Sequence, residues 1–438
     1  MEVILIKTLQ FVASLSLLVL IHEFGHYITA RIFKIRVEKF YIFFNPWFSL
    51  YKRKVGETEY GIGWLPLGGY VSLAGMIDES MNAEQMQQPP QPWEFRTKPA
   101  WQRLIVMLAG IAMNVLFAMF LYSMILFTWG EQYYHNDDVK HGYEFTAQGE
   151  ELGFKDGDHF VSIDGKPIGN ILDVNKMLII TESDREVVVS RDGEMQTLVL
   201  PLERLVAMRQ DNSIVDFFQP IIPFVVDEVK SEEALAAGLM AGDELVKVDG
   251  VEVSNFMKGK ELIAEAKGRN AEVEVLRSGE PVVLSLPVNE EGQIGVMIKM
   301  IEPRITEYGF FESIPAGIRR GGEQIASYWE QLKMIVNPET KSYKEVGGFI
   351  AIGNIFPESW NWRSFWSLTA FISVALAIMN LLPIPGLDGG HALFTLWEVI
   401  TRRKPSDKFL EVMQYIGMAL LLLLLIYANG NDILKLFN

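Results

Sequence analysis

The chain has 438 residues, enough for two or three domains, and 49% of them are hydrophobic, giving a mean hydropathy of +0.16. It contains no cysteine, which excludes disulfides, thiolate metal ligands and a cysteine nucleophile, so any metal must be held by His, Asp or Glu. A net charge of -16 argues against nucleic acid as a partner, because phosphate binding needs a basic surface.

Residues 8–30 are the first of four stretches apolar enough to span a bilayer of about 30 Å, which takes roughly 20 helical residues. A retained helix is expected here rather than a cleaved signal, since Glu2 offsets Lys7 and no small-x-small site follows the apolar block. Within it, "HEFGH" puts His22 and His26 on one face of a helix, so their imidazoles can converge on one ion. Glu23 sits beside that face, where a carboxylate can take a proton from an attacking water. In a soluble helix, two histidines satisfied by neighbouring backbone would be unremarkable. In a membrane helix unpaired ionisable groups are costly, and a functional role explains them better.

Residues 31–103 hold ten basic side chains, including Lys52, Arg53 and Lys54. Their segment 60–76, "YGIGWLPLGGYVSLAGM", reads as short apolar strands punctuated by glycine and free of charge. As an ordinary cytoplasmic hairpin it would expose a large apolar surface. Residues 78–99, with "QMQQPPQPW", read as a flexible polar connector. The second span, 104–130, carries no charge over 27 residues.

Beyond it the sequence repeats itself. "GFKDGDHFVSIDG" from Gly153 aligns with "GLMAGDELVKVDG" from Gly238 at an offset of 85, and "VVVSRDGEMQTLVL" answers "VEVLRSGEPVVLSL". In each copy a Gly-Asp turn opens an alternating strand, an Asp-Gly turn closes it, and a helical stretch follows. The pattern resembles the PDZ family, whose members offer a strand edge to extended peptides. Domains are expected at 131–205 and 206–302, followed by a linker at 303–362. In that linker 317–336 is amphipathic, suited either to the outer membrane surface or to packing against the second copy.

The third span, 364–387, runs into "MNLLPIPGLDGGHALF", and the fourth, 412–428, includes six consecutive leucines. Residues 131–158 carry eight acidic side chains and two lysines, whereas 31–103 and 398–408 are basic. Basic loops stay in the cytoplasm, so 131–363 and both termini are expected outside. Two histidines leave zinc one protein ligand short. Glu38, Glu57 and Glu59 are available, but Asp388 is the better candidate, being the only carboxylate between Arg363 and Glu398. With the first and third spans parallel, His22 and Asp388 lie within about 15 Å of each other in depth at 1.5 Å per residue. His391 is the rival ligand, with the pair Gly389 and Gly390 expected to turn the backbone away. Asn380 suits a helix–helix hydrogen bond or a donor to a developing oxyanion, and the sequence leaves both open. Pro383, Pro385, Gly386, Gly389 and Gly390 break the helix, and irregular backbone at membrane depth needs burial or water, consistent with a wet pocket open to the cytoplasmic side.

"HEFGH" together with "NLLPIPGLDGG" resembles the site-2 protease family of intramembrane zinc metalloproteases, and the PDZ-like pair places the chain nearest the bacterial regulators of sigma-E protease. The resemblance spans nearly the whole chain. It departs at Ile111, where a proline usually follows the glycine, and at Phe349, where a Gly-Pro pair is common. It implies a polytopic α-helical membrane protein with four transmembrane helices (1–33, 104–130, 363–397 and 409–438), a membrane re-entrant β-loop at 60–76 and two tandem PDZ-like α+β domains. It further implies one Zn2+ per chain held by His22, His26 and Asp388, Glu23 as catalytic acid–base, and Asn380, Pro383, Pro385, Gly61 and Gly63 meeting substrate or intermediate. The partners implied are the lipid bilayer and a single-pass membrane protein already trimmed by a site-1 protease. The location implied is the bacterial inner membrane, with the PDZ-like domains periplasmic. A non-catalytic scaffold using the PDZ-like pair is the competing class. A metal transporter fits less well, with one ionisable cluster and four spans.

Overall fold

A computed structural model describes residues 2–66, 68–76 and 89–437, so 77–88, most of the polar connector, lie outside the described residues. The chain divides into two compact units, Met1–Glu131 with Glu307–Pro338 and Ser342–Asn438, and Gln132–Thr306 with Glu339–Lys341.

The first unit is helical around a small sheet. Its helices are α1 (Glu2–Ile32), α2 (Ala100–Trp129), α3 (Phe310–Val336), α4 (Phe349–Asn354), α5 (Trp362–Leu381), α6 (Asp388–Thr401) and α7 (Asp407–Phe437). Among the described residues four segments are long and apolar enough to cross a membrane: α1, α2, α5 and Lys408–Lys435 of α7. Pro99, which lacks an N–H, caps the start of α2, and Gly130 ends it at a φ of 66°.

Pairings between helices fix their directions. Thr369 Oγ1 donates to Ser14 Oγ at 3.0 Å, and further along both chains His22 meets Asp388, so α1 and α5 run parallel. Conversely His26 pairs with Val106 and His22 with Asn114, so α2 runs antiparallel to α1. Small residues allow the approach: a Cβ at Gly25 would collide with the Ala109 carbonyl.

The amphipathic stretch at 317–336 lies in α3, and it packs on α2 within this unit. Its buried Ser313, Gly317 and Gly321 form a small-residue seam, and a Cβ at Gly317 would strike the backbone of Ser123. Phe311, Ile314 and Trp329 remain exposed on its other faces, as an apolar lipid-facing surface would be.

Four strands, β1 (Val37–Ile42), β2 (Tyr51–Val55), β3 (Thr58–Ile62) and β4 (Tyr70–Leu73), form one sheet in the order β2-β3-β1-β4. β1 is parallel to β3 and antiparallel to β4, and the turn at 60–76 is therefore only part of a larger sheet. Tyr27 of α1 and Tyr60 of β3 share a hydroxyl–hydroxyl hydrogen bond of 2.7 Å, joining sheet to helix.

In the second unit the repeat is structural as well as sequential. The first copy orders its strands Lys166–Pro167, His159–Ile163, Arg185–Arg191, Glu194–Leu200, and the second orders Val251–Glu252, Glu244–Val248, Asn270–Arg277, Glu280–Pro287 in the same way. Each encloses its own hydrophobic core. The Asp-Gly turns place Asp164 and Asp249 at a φ of 48° and their glycines at positive φ, as a tight hairpin requires. The Gly-Asp turns are tied by a device that strand patterning does not reveal. Arg191 grips Asp158 through two hydrogen bonds of 2.7 Å and Arg277 grips Asp243 at 2.8 and 2.7 Å, each arginine also reaching a glycine carbonyl.

Burial alone would raise the Asp243 carboxyl, but the Arg277 fork and the Met240 N–H outweigh it and hold its pKa below the ordinary 3.8. The native value is thus lower than the unfolded one. The stabilisation is complete above the unfolded value of 3.8 and disappears as pH falls through the native value. Asp243→Asn should therefore melt at a lower temperature than the unchanged chain at neutral pH, with the gap narrowing in acid. Thermal melts of the purified full chain across this range check it; a gap that is constant with pH would contradict the assignment.

Candidate active site

α1 carries His22 and His26 one turn apart, and α6 brings Asp388 to them at its first residue. His22 Nε2 lies 3.0 Å and His26 Nε2 3.2 Å from Asp388 Oδ2, and the two imidazole nitrogens are 3.2 Å apart. The three are the one group of His, Asp or Glu found close enough to hold a metal among the described residues. All three side chains are largely shielded from solvent.

The protons decide what this triangle is. His26 Nδ1 is 2.8 Å from the Val106 carbonyl, which can only accept, so Nδ1 carries the hydrogen and a neutral ring presents a bare lone pair at Nε2. Asp388 Oδ2 is buried and receives no well-formed hydrogen bond. His26 Nε2 and Asp388 Oδ2, two acceptors 3.2 Å apart with no hydrogen between them, repel unless a cation sits beside them. A tetrahedral zinc with bonds of about 2.0–2.1 Å requires donor separations of about 3.3–3.4 Å, close to those seen here. The donor set fits zinc.

Glycines make the triangle possible. A Cβ at Gly110 of α2 would collide with His26 Nε2 and lie 2.7 Å from His22 Cε1. Gly389 and Gly390 do not turn the chain away, as the sequence reading has it. They form the first turn of α6, and a Cβ on either would strike carbonyls of the preceding 381–384 segment. The break between the helices lies at 382–387, where Gly386 has a φ of 97°.

A cavity of about 280 Å³ opens onto the triangle, and Glu23, Asn380 and His391 line it with the three donors. Gly68, Gly69, Tyr70 and Val71 form another wall, so β4, an end strand of its sheet, borders the site. Two of the glycines expected to meet substrate stand apart from this lining. Gly61 and Gly63 do not line the cavity. Gly61 is in β3, which has partners on both sides, and its α-carbon faces the Tyr41 ring, while Gly63 abuts the backbone of Phe44. Pro383 and Pro385 are also absent from the lining and shape the break instead, the Pro385 carbonyl pressing on Gly417 of α7. Sequence reasoning passes over Gly110 and Asn114. Yet Asn114 is the one carboxamide in the uncharged second span, the same signal that marks Asn380.

The arrangement is that of a metallohydrolase set among membrane-type helices. Comparison with known proteins makes the class specific. The sequence profile of peptidase family M50 matches residues 10–424, and the chain belongs to that family, the site-2 proteases, which are zinc-dependent. It is a zinc metalloprotease with a mixed helix and sheet architecture, and its family acts on membrane-protein substrates within the lipid bilayer. Similar proteins include a regulator of sigma E protease from Haemophilus influenzae, 30% identical over 98% of each chain. Another, from Salmonella typhi and named in the same way, is 30% identical over 97% of this chain and 98% of its own. A Vibrio cholerae protein whose name describes it as a zinc metalloprotease is 29% identical over 99% of each.

Gly110→Ala should push both imidazoles off the triangle and lower zinc affinity by about ten-fold or more, the range set by losing the groups that orient metal ligands. Metal analysis of the purified variant after dialysis against a weak chelator measures this. Zinc retained at the level of the unchanged chain would contradict the packing argument.

Proposed function

We propose that this chain cuts the transmembrane segment of single-pass membrane proteins, with His22, His26 and Asp388 holding one zinc and Glu23 serving as acid–base. The observation that carries the reading is a triangle of three donors, with no hydrogen to spare between His26 and Asp388, beside a cavity that Glu23 also lines. Zinc bound there supplies a Lewis acid that polarises the scissile carbonyl and makes water acidic enough to lose a proton near neutral pH. Glu23 takes the proton of the attacking water and delivers it to the leaving amine. Asn380, which lines the same cavity, donates from its amide to the carbonyl oxygen as negative charge develops there.

A peptide bond in a helix has its carbonyl already hydrogen-bonded and shielded, so the segment must unwind before attack. β4 has one neighbour in its sheet, and its residues line the cavity, so an extended substrate segment has backbone groups to pair with beside the zinc ligands. The bias of Lys and Arg supports a bacterial cytoplasmic membrane location with the site toward the cytoplasm and the repeats in the periplasm.

The repeats read as PDZ-like, and the two copies are not equivalent. In the first, the connection to Phe218–Pro220 contains the helix Leu202–Gln210, whose Leu205 and Met208 are buried with Val174 and Leu178 of the helix Ile171–Ile179. In the second, the matching connection to Val296–Ile298 is short and has no helix. A peptide entering beside the first copy's helix would compete with the chain's own residues. The first copy therefore suits screening of bulky outer domains, and the second is the one open to a ligand. Screening of this kind fits a substrate trimmed beforehand by a site-1 protease. The names of the Haemophilus and Salmonella relatives support an anti-sigma factor as one such substrate, and signal-peptide remnants are a second class of the same chemistry.

Glu23→Gln should keep zinc and substrate binding while slowing cleavage of a membrane-embedded reporter by roughly 10²–10⁴-fold, the usual contribution of a positioned general base. Asp388→Asn should lose zinc and cleavage together. Metal content and reporter cleavage in reconstituted vesicles read both. Unimpaired cleavage by either variant would refute the mechanism, and unimpaired biological function of Glu23→Gln would favour a scaffold.

A further inference from the structure

We infer that Asn114 is a positioning residue for the zinc site: its side-chain carbonyl accepts the Nδ1 hydrogen of His22 and so fixes that ring with Nε2 bare toward Asp388. The inference rests on His22 being a zinc ligand, as proposed above. Both histidines face the same requirement. To present a lone pair at Nε2, a neutral imidazole must carry its hydrogen on Nδ1 and hand it to an acceptor. For His26 that acceptor is the Val106 carbonyl. Among the described residues, the partner of His22 Nδ1 is the Asn114 carboxamide, whose Nδ2 lies 3.3 Å away. The positioning role therefore requires the amide to be turned over, which exchanges its N and O ends at nearly the same positions.

The two ends of a carboxamide are told apart by their hydrogen-bonding partners. With the NH2 end facing His22, as it stands in the structure, the ring would hold its hydrogen on Nε2 and point it at Asp388 Oδ2, 3.0 Å away. That would be a metal-free hydrogen-bonded cluster. With the carbonyl end facing His22, both rings turn lone pairs to the same point. Only this setting is compatible with a zinc-dependent peptidase that uses His22. As the amide stands, the Asn114 oxygen is buried with no donor, so among the described residues no donor to that oxygen holds the amide that way round.

Asn114 is well placed to hold a ring still. It is fully buried, and Ser373 Oγ of α5 donates to its backbone carbonyl at 2.8 Å. Gly110, one turn earlier on α2, leaves the two imidazoles room to lie against the helix. Thus α2 supplies no ligand but orients both: Val106 sets one ring, Asn114 the other.

The test is zinc affinity, measured on the purified full-length chain by competition with a chromophoric chelator, beside thermal melting. Asn114→Leu, similar in size but without an acceptor, should bind zinc about 10–100-fold more weakly, as when a hydrogen-bond partner of a metal-bound histidine is lost. Asn114→Asp, which keeps an acceptor, should bind more tightly than the Leu variant. Unchanged affinity in Asn114→Leu, with His22→Ala losing zinc, would overturn this inference alone. Retention of zinc by His22→Ala would overturn the site assignment beneath it. An Asp variant no better than Leu would also overturn the inference, since the acceptor would then be irrelevant.

Discussion

The molecule depends on one electrostatic constraint: His22, His26 and Asp388 turn their donor atoms toward one point, away from bulk water. In an apolar surrounding such a cluster is unstable unless a cation occupies it and every other hydrogen of the rings has an acceptor. The rest of the first unit can be understood as meeting those two conditions. α1 supplies the rings, α2 supplies the Val106 acceptor for one ring and the Asn114 carboxamide beside the other, and α6 supplies the compensating charge. The parallel run of α1 and α5 follows, because α5 must deliver α6 to the same depth as the histidines.

The constraint also accounts for where the side chains are missing. Imidazole and carboxylate are short, so two helices can share one ion against a third only if their backbones nearly touch. Gly25 against Ala109, Gly110 beneath the imidazoles, and Gly389 against the 381–382 carbonyls are all places where a methyl group would collide. Buried hydroxyls work alongside them: Ser14, Thr369 and Ser373 join the helices by hydrogen bonds, each partner otherwise lacking water to bond with. Close packing and polar satisfaction are here one solution to one problem.

What was legible in the sequence follows from the same physics. "HEFGH" can be read because helical spacing is local, and Asp388 because a carboxylate alone in an uncharged stretch is conspicuous. The contribution of α2 is hidden because that helix is apolar on every side, and periodicity carries no rotational information when all faces look alike. Strands β1 and β2 escape notice because "VEKFYI" and "YKRKV" are charged and lack the glycine punctuation that marks 60–76. Gly61 and Gly63 are instructive. Glycine in a strand does signal a close approach, and within the protein the approaching groups are Tyr41 and Phe44.

The break between α5 and α6 ties chemistry to packing. In an unbroken helix, residues 380 and 388 would lie about 12 Å apart along the axis, at 1.5 Å per residue, too far to share one small cavity. Ending α5 at Leu381 and restarting at Asp388 lets Asn380 and Asp388 line the same space, one from the last turn of a helix and one from the first turn of the next. Such a break leaves backbone groups unpaired and needs support from outside. α7 gives it at Gly417, whose bare α-carbon receives the Pro385 carbonyl segment. The fourth span therefore acts on the site twice, by lining the cavity with Gln414 and by holding in place the turn that carries Asp388 to the histidines.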